Sequence, residues 1–435
     1  MTPIPSSDDN TPNSYWLPLG LLALVLICGC VLRLVYVEDM EYKGDEAWTF
    51  RHSVEKSGAA FPWLGMPMST GPRNPGMSLW VFMVLSRIGG VVEPTDLARC
   101  VQVLNILALL LLVAFAFRFV EKTEREVWLW ASALVAVNPL AVLFQRKIWP
   151  PSVLPLFVII MLSGWWCRRR FWGAFLWGWV GACLGQIHGP GFFFAAGFFL
   201  WAWLFDRRGV RWTGWLAGSV LAAWPMIPWV WHLFQGPHGH STTDVTWEHI
   251  LEAKFWLRWI TESWGLGLKY SLHRQFVEFL KGPFLAGEPT YFVAGLHAVV
   301  VTLGILILWR GGKKLWANRH GWRDLFIGRE SATAFTISAA FWGFGLLLTF
   351  SMLPIHRHYM IVLFPLEFVW LAHLALGIRG STTDHRRWGR RLLAGMVVAQ
   401  LLITICFLHF IHANGGATGG DYGLAYRLQI QQRRP

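Results

Sequence analysis

Two adjacent carboxylates, Asp45 and Glu46, stand in the stretch EYKGDEAWTF (residues 41–50), just after an apolar run long enough to cross a membrane. A carboxylate can take a proton from an attacking hydroxyl or help to hold a metal ion. Neighbouring helical residues point about 100° apart, so this pair cannot flank one bond as the two acids of a glycosidase do. We therefore expect at most one of them to react. Asp45 is the predicted base and the predicted N-cap of a helix over 46–57.

Basic side chains and histidines follow or precede several other apolar runs, in the stretches GPRNPG (71–76), FQRKIWPP (144–151), GQIHGPG (185–191) and PIHRHYM (354–360). Arg and Lys are natural partners of a phosphate group. The sequence nominates Arg146, Lys147, Arg357, His358 and Arg73 for binding a phosphate, and His188, Asn74, Tyr359 and His273 for binding the rest of a substrate.

Each of these features also has a purely structural explanation. An acidic residue after a span is most often part of a solvated loop, and QRK or HRH at a span end can be an interfacial anchor. His188, between glycines and a proline, can be a satisfied turn residue. What favours a functional site is that all these groups are predicted to lie on one side of the membrane.

The composition indicates an integral membrane protein. Of the 435 residues, 54% are hydrophobic and only 14% are charged, with 29 Trp and a mean hydropathy of +0.42. The net charge of +13 fits cytoplasmic loops rich in Lys and Arg, and no nucleic-acid partner is expected. We expect the six Cys to be small core residues. The predicted fold is an all-α polytopic membrane protein with eleven spans, at 16–37, 97–117, 127–144, 151–166, 171–187, 191–205, 212–234, 291–309, 331–353, 359–378 and 392–411.

Charge predicts the orientation of these spans. With a cytoplasmic N-terminus and the apolar run 76–92 lying as a helix on the outer surface, the inner loops hold 20 Lys and Arg in 53 residues. The outer segments then hold 16 in 153 residues. If 76–92 crossed instead, the most basic loops would lie outside, against the positive-inside rule. The predicted location is the inner or plasma membrane, with the site on the outer face.

This topology predicts one transmembrane domain over 1–411, with a first outer loop at 38–96 and a long outer loop at 235–290. The remaining residues, 412–435, form an outer tail, for which a flexible conformation is the favoured interpretation. Nine of the fifteen His lie in the outer segments. The acidic pair, the basic residues and the histidines are therefore expected to meet in one cavity at the outer surface.

The order of these motifs resembles a known family. GDEA opens a helix after the first span, VNPLAVLFQRKIWPP ends a later span with basic residues, and HRHYMIVLFPLEFVWLA opens a late one. This pattern is similar to the membrane glycosyltransferases of the GT-C superfold, and most similar to glycosyltransferase family 39 and the aminoarabinose transferases, relatives of the protein O-mannosyltransferases. The resemblance covers roughly residues 15–380. The segment GPRNPGMSL departs from the HPPL pattern of that family.

The resemblance implies a catalytic carboxylate at Asp45, with Glu46 beside it, and a donor phosphate near Arg146 or Lys147 and near Arg357 and His358. The expected donor is a sugar on a polyprenyl phosphate, and the expected acceptor is a hydroxyl of a lipid, glycan or protein. Inversion at the anomeric carbon is expected. No cofactor is assigned. A divalent metal stays an open alternative, although no second acidic pair that could bind it stands at 145–150.

Two alternatives from other classes of protein stay open at this point. A transporter or lipid flippase would keep ionisable groups within its spans and would commonly show repeats, whereas here the spans are nearly free of charge apart from Arg33, Arg99 and Glu367, and no repeat is found. A scaffold without activity would tolerate substitution of the carboxylates. A glycan ligase or polymerase that uses the same donor class is a third alternative.

Overall fold

The computed structural model describes residues 19–56, 58–67, 73–235, 251–317, 321–377 and 383–433. Three of the nine predicted outer histidines lie in 236–250 and so fall outside the described residues. Nearly all regular structure is helical, which confirms the all-α class. The helices are α1 Leu19–Leu34, α2 Gly44–Glu55, α3 Met77–Gly89, α4 Pro94–Arg118, α5 Lys122–Val137, α6 Pro139–Phe144, α7 Leu154–Trp166, α8 Phe171–Ile187, α9 Pro190–Phe205, α10 Trp212–Ala223, α11 Ile227–Gln235, α12 Lys254–Ser263, α13 Leu268–Leu272, α14 Phe276–Lys281, α15 Phe292–Ala317, α16 Trp322–Ile327, α17 Ala332–Ser338, α18 Gly345–Thr349, α19 Leu366–Leu376, α20 Thr383–Asn414 and α21 Tyr426–Arg433.

Three short antiparallel hairpins lie between these helices. A π-helical turn, Ala339–Phe344, joins α17 to α18, and a 3-10 helix, Arg357–Leu363, precedes α19. The hairpins are β1 Leu64–Pro67 with β2 Arg73–Pro75, β3 Phe284–Leu285 with β4 Glu288–Pro289, and β5 Gly416–Ala417 with β6 Gly423–Leu424.

Each of the eleven predicted spans contains helix. By length and apolar composition, four helical stretches of the described chain can cross a membrane alone: Pro94–Arg118, Phe292–Lys313, Ala332–Thr349 and Thr383–Asn414. The pair Arg357–Leu363 and Leu366–Leu376, bent by 69°, makes a fifth if it is one span. The chain is thus a polytopic membrane protein. The number of eleven crossings and their orientation stay predictions.

The Asn-Pro pair at 138–139 interrupts a predicted span and makes two helices of it. The side chain of Asn138 accepts hydrogen bonds from the backbone N–H groups of Leu140 and Ala141 (3.0 Å each), and Pro139 begins α6. Both residue types are favoured at a helix N-terminus. The Asn138 amide also donates to the carbonyl of Glu262 (3.1 Å). The interruption places the end of α6 beside the end of α1. The residues after α6, Gln145, Arg146 and Lys147, which we call the QRK segment, lie there too.

Close approach between α1 and α5 depends on Gly29. A Cβ at this position would lie 2.7 Å from the carbonyl oxygen of Ala136, well inside van der Waals contact. One turn later, the guanidinium of Arg33 donates to the carbonyls of Gly29 (2.7 Å), Ala136 (2.8 Å) and Val135 (3.0 Å) and to the side-chain oxygen of Gln145 (2.8 and 2.5 Å).

Arg33 is fully buried, and no carboxylate lies within ion-pair distance of it in the described chain. Its charge is balanced by carbonyl dipoles instead. Two of those carbonyls belong to the last turn of α5, where the helix dipole is negative. The arginine therefore joins α1, α5 and the QRK segment into one unit.

Replacing this arginine by a residue of similar length tests that role. Arg33→Met leaves the Gln145 oxygen and three carbonyls without their donor, and orphaned buried acceptors cost about 1–3 kcal/mol each. We expect the unfolding temperature of the purified protein in detergent to fall by several degrees or more. Arg99→Met, at an exposed position, serves as the matched control. Equal unfolding temperatures for the two variants would show that Arg33 does not hold the helices together.

Candidate active site

The QRK segment holds the chain where it leaves α1. The Arg146 guanidinium donates to the carbonyl of Leu32 (2.6 Å), in the last turn of α1, and to that of Tyr36 (2.9 Å), just beyond it. The Lys147 ammonium forms a buried ion pair with Glu41. Arg146 and Lys147, both nominated for a phosphate, thus also fix the position of the acidic segment.

The helix that carries the acidic pair begins two residues earlier than predicted. Lys43 is the N-cap of α2, so the prediction of Asp45 as N-cap is wrong. Glu46 fills the capping role, since its carboxylate accepts a hydrogen bond from the backbone N–H of Lys43 (3.0 Å). The helix ends at Glu55 rather than at residue 57.

The two carboxylates of the pair have different surroundings. Glu46 is 3% exposed and faces the protein interior, whereas Asp45 is exposed and makes no hydrogen bond or ion pair with the described residues. One of them, Glu46, therefore supports the backbone. The other, Asp45, is free to meet a substrate.

Burial dominates the electrostatics of Glu46. It raises the pKa of Glu46 to about 7, against the opposing charge of Lys147, and nearby Glu41 adds to the increase. Glu41 itself accepts from two ammonium groups, Lys43 (2.7 Å) and Lys147. A chain of alternating charges thus begins at the exposed start of α2 and ends at Lys147.

Lys147 leads from this chain of charges to a group of aromatic and imidazole rings. Its ammonium lies 5.2 Å from the ring centroid of Trp149, and Trp149 lies 4.7 Å from the ring of His358. His358 lies 5.2 Å from the ring of His188, and His188 lies 5.7 Å from Tyr359. Three separate predicted outer segments therefore meet here, as the sequence predicted. We call Lys147, Trp149, His188, His358 and Tyr359 the ring cluster.

His188 contributes a neutral ring to the cluster. Burial lowers the pKa of His188 to about 3, and nearby His356 lowers it further. Its Nε2 atom is buried and has no hydrogen-bond partner in the described structure. An orphaned ring nitrogen of this kind can bind a hydroxyl of a ligand.

Arg357 lies on the other side of the ring cluster. Its guanidinium donates to the carbonyl of Gly267 and to the hydroxyl of Ser271 (2.9 Å), and stacks over Phe144 at 4.9 Å. No carboxylate lies within ion-pair distance of it among the described residues. A half-buried cation without a counter-ion attracts an anion.

Two residues that the sequence analysis passed over, Arg258 and Glu262, lie beside Arg357. The Arg258 Nη1 atom is buried and lacks a partner in the described chain. Burial raises the pKa of Glu262 to about 7, although Arg357 and Arg258 both act to lower it. Their spacing could have identified them from the sequence, because residues four apart share one face of a helix. That helix is α12, in the predicted long outer loop.

Three nominated residues lie apart from this group. Arg73 and Asn74 belong to the hairpin β1–β2, where the Asn74 amide donates to Met66 (3.1 Å) and the Arg73 carbonyl accepts from Trp229 (2.7 Å). His273 is exposed at the end of α13. None of the three contacts the ring cluster or Arg357 through a hydrogen bond, ion pair or ring contact in the described structure, and their roles stay predictions.

The interpretation of residues 412–435 as a flexible tail is wrong for the described part. After the end of α20, this part forms the hairpin β5–β6 and the helix α21, which lie against the residues that precede α2. A backbone bridge joins Glu41 to Ala425. The reason is a set of buried polar contacts to Asp39, which lies before the acidic pair and was not singled out.

The described residues do not fit a metal centre. No group of three or more His, Cys, Asp or Glu side chains is placed to hold an ion within that part of the chain. We therefore derive no chemical step through a metal.

No protein-family model and no curated protein matches the sequence. Among solved structures, the chain is similar to ArnT from Cupriavidus metallidurans, determined with bound undecaprenyl phosphate. The identity is 12%, the TM-score is 0.47, and the similarity covers 95% of this chain and 76% of that one. At these values the similarity assigns neither a family nor a function.

The raised pKa of Glu46 predicts how stability depends on pH. The folded protein keeps this proton up to about pH 7, whereas the unfolded chain loses it near the ordinary value of 4.5. The stabilisation from Glu46 is thus complete below pH 4.5 and is lost as the pH rises through 7, by roughly 3 kcal/mol at most.

Unfolding temperatures of wild type and Glu46→Gln, measured from pH 5 to pH 8, test this. We expect the wild type to lose stability relative to Glu46→Gln as the pH rises. Glu55→Gln, an exposed position on the same helix, is the matched control. A difference between wild type and Glu46→Gln that is constant over this range would contradict the buried, protonated Glu46.

Proposed function

We propose that this protein is a membrane glycosyltransferase that moves a sugar from a polyprenyl-phosphate donor to an acceptor hydroxyl at the outer face. One observation carries the proposal: the exposed Asp45 carboxylate has no hydrogen bond or ion pair among the described residues, and it follows a segment that Lys147 of the ring cluster holds through Glu41. Two half-buried arginines, Arg357 and Arg258, have no ion-pair partner among those residues either. The order of motifs along the chain, which resembles the GT-C glycosyltransferases, supports the same conclusion.

The cations suit the leaving group of such a reaction. Arg357 and Arg258 have no ion-pair partner among the described residues, and Lys147 shares Glu41 with Lys43. Lys147 follows the apolar helix α6, and Arg357 begins the 3-10 helix before α19, where the phosphate of a lipid would lie if its chain remained in the bilayer. Arg258 lies within α12, beside Arg357. Fixed positive charge that meets developing negative charge in a buried site is often the largest contribution to catalysis.

The step balances with the side chains present. The acceptor oxygen attacks the anomeric carbon and transfers its proton to the carboxylate of Asp45. The bond between the anomeric carbon and the phosphate oxygen breaks, and its electrons remain on the phosphate, where Lys147, Arg357 and Arg258 stabilise the charge. Direct displacement inverts the anomeric centre. Glu46 supports the start of α2 rather than reacting.

The ring cluster supplies the surface for the sugar. Aromatic faces and a neutral imidazole with an open nitrogen pack against and hydrogen-bond to a polyol without requiring charge on it. We assign His188, His358 and Tyr359 to this role. Arg146 acts through the backbone at the end of α1, so we assign it a positioning role.

The surroundings of Arg33 give the transporter alternative no support. Arg33, a charged residue within a span, is fully bonded to carbonyls and to Gln145, and it serves the packing of α1. A buried charge used in this way marks no substrate pathway.

Turnover of a panel of polyprenyl-phosphate sugars by the purified protein in lipid nanodiscs tests the proposal. We expect wild type to release free polyprenyl phosphate from at least one donor, and Asp45→Asn to lower that rate by about 10²–10⁴-fold, the usual contribution of a general base. Glu55→Gln, on the same helix, is the matched control. Equal rates for wild type and Asp45→Asn would exclude Asp45 as the base.

The same panel separates binding from chemistry. Arg258→Gln and Arg357→Gln are expected to weaken binding of polyprenyl phosphate by about 10–100-fold, because each removes a charged hydrogen-bond donor. Arg51→Gln, an exposed arginine of α2, is expected to bind as wild type does. If no donor binds to or is turned over by wild type, the glycosyltransferase proposal fails as a whole.

A further inference from the structure

The C-terminal segment after α20 binds to the chain just before α2, the helix that carries the acidic pair. Asp39 is 2% exposed, and its two carboxylate oxygens lie 2.6 Å from the Nδ1 atom of His412 and 3.0 Å from the Nε atom of Arg427. The Tyr422 hydroxyl donates to the backbone carbonyl of Asp39. Asp39 thus receives one contact from the end of α20 and two from the segment after it.

Further hydrogen bonds from the C-terminal segment follow along residues 40–43, up to the start of α2. The N–H of Tyr426 donates to the carbonyl of Met40 (3.2 Å), and the Gln429 amide donates to the carbonyl of Tyr42 (2.8 Å). Lys43, the N-cap of α2, bonds to both the carbonyl and the carboxylate of Asp421. The stretch 39–43 is therefore held by the QRK segment through the ion pair of Lys147 with Glu41, and separately by the C-terminal segment.

The same segment also reaches the helix that supports Arg357. The N–H of Tyr422 donates to the carbonyl of Ser271 (3.0 Å), the residue whose hydroxyl accepts from Arg357. At Gly420, a Cβ would lie 2.3 Å from that same carbonyl, so only glycine permits the approach. Asp421 lies between the two sides. Burial raises the pKa of Asp421, whereas Lys43, Lys147 and Arg357 lower it, with a net decrease.

We infer that residues 415–433 act as a clasp that sets the distance between the acidic helix α2 and Arg357, with Arg427 as its positioning residue. The inference rests on the proposed function and adds a part of the machinery to it. The clasp holds residues 39–43, which precede Asp45. It fixes the backbone that carries the base relative to the cation that faces the leaving phosphate.

Arg427 is the residue on which the clasp depends most. Its guanidinium donates through Nε to Asp39 and through Nη2 to the carbonyl of His412 (2.9 Å), so it ties α21, α20 and the segment before α2 together. Without it, Asp39 keeps His412 and Tyr422 only. The base would then be displaced rather than lost, and a displacement of about 1 Å can lower a rate by about 10²-fold.

Amide hydrogen exchange and transfer kinetics, measured on the same full-length variants, test the inference. We expect Arg427→Gln to speed exchange in residues 39–46 and to lower kcat by about 10–100-fold, with the donor KM changed much less. Arg427→Lys keeps the charge next to Asp39 but loses the second hydrogen bond, so its kcat is expected to fall between the two. Gln431→Ala, an exposed position of α21, is the matched control.

Two results would overturn the clasp. Unchanged exchange in residues 39–46 of Arg427→Gln would show that Arg427 does not hold the segment, whatever the activity. Faster exchange with unchanged kcat would show that the segment is held but that its position does not matter to the reaction. The exchange measurement needs no donor, so a failure of the glycosyltransferase proposal would be seen separately, as absent turnover in wild type.

Discussion

The guanidinium of Arg146 donates to two carbonyls at the end of α1, one in its last turn and one just beyond it, and the position of the candidate site depends on that contact. A helix end leaves its last carbonyls without partners inside the helix. Here a buried arginine from a distant turn supplies the donors, and Arg33 ties the preceding turn of α1 to α5 and Gln145 in the same way. The direction in which the chain leaves the bundle is thereby fixed, and Asp45 follows nine residues after Tyr36.

The same segment explains why several buried cations collect in one place. Carbonyl dipoles balance the charges of Arg33 and Arg146, so neither arginine needs a carboxylate partner. Lys147 shares Glu41 with Lys43, and Arg357 rests on a carbonyl, a hydroxyl and an aromatic face. Taking charges out of water is costly unless they are paired or well hydrogen-bonded. This group of cations therefore keeps a net positive charge, and the phosphate of a lipid would supply the missing negative charge.

Much of this arrangement could be predicted from the sequence because composition and charge act over whole segments. Apolar runs indicated the all-α membrane class, and the predicted outer location of QRK, His188 and HRHY led to the expectation that they meet. Local detail could not be predicted in this way. Asp45 was expected to cap α2, but the cap is Lys43 with Glu46, because helix ends shift by one or two residues at little cost.

The remaining misses have a common cause. Asp39, Arg258 and Arg427 act through contacts to residues far along the chain, and no short motif marks such pairs. The tail after α20 looked flexible because it is rich in glycine, yet glycine at position 420 is what lets it approach Ser271. Buried polar contacts between distant segments are visible only once the fold is known.

An experimental structure of the protein with a polyprenyl-phosphate sugar bound in a lipid environment would test the central claim most directly. The account predicts the donor phosphate within hydrogen-bonding distance of Arg357 and Arg258, the sugar against the ring cluster, and the Asp45 carboxylate on the side of the anomeric carbon opposite the phosphate. A phosphate bound away from these arginines, or an Asp45 carboxylate turned away from the sugar, would contradict it.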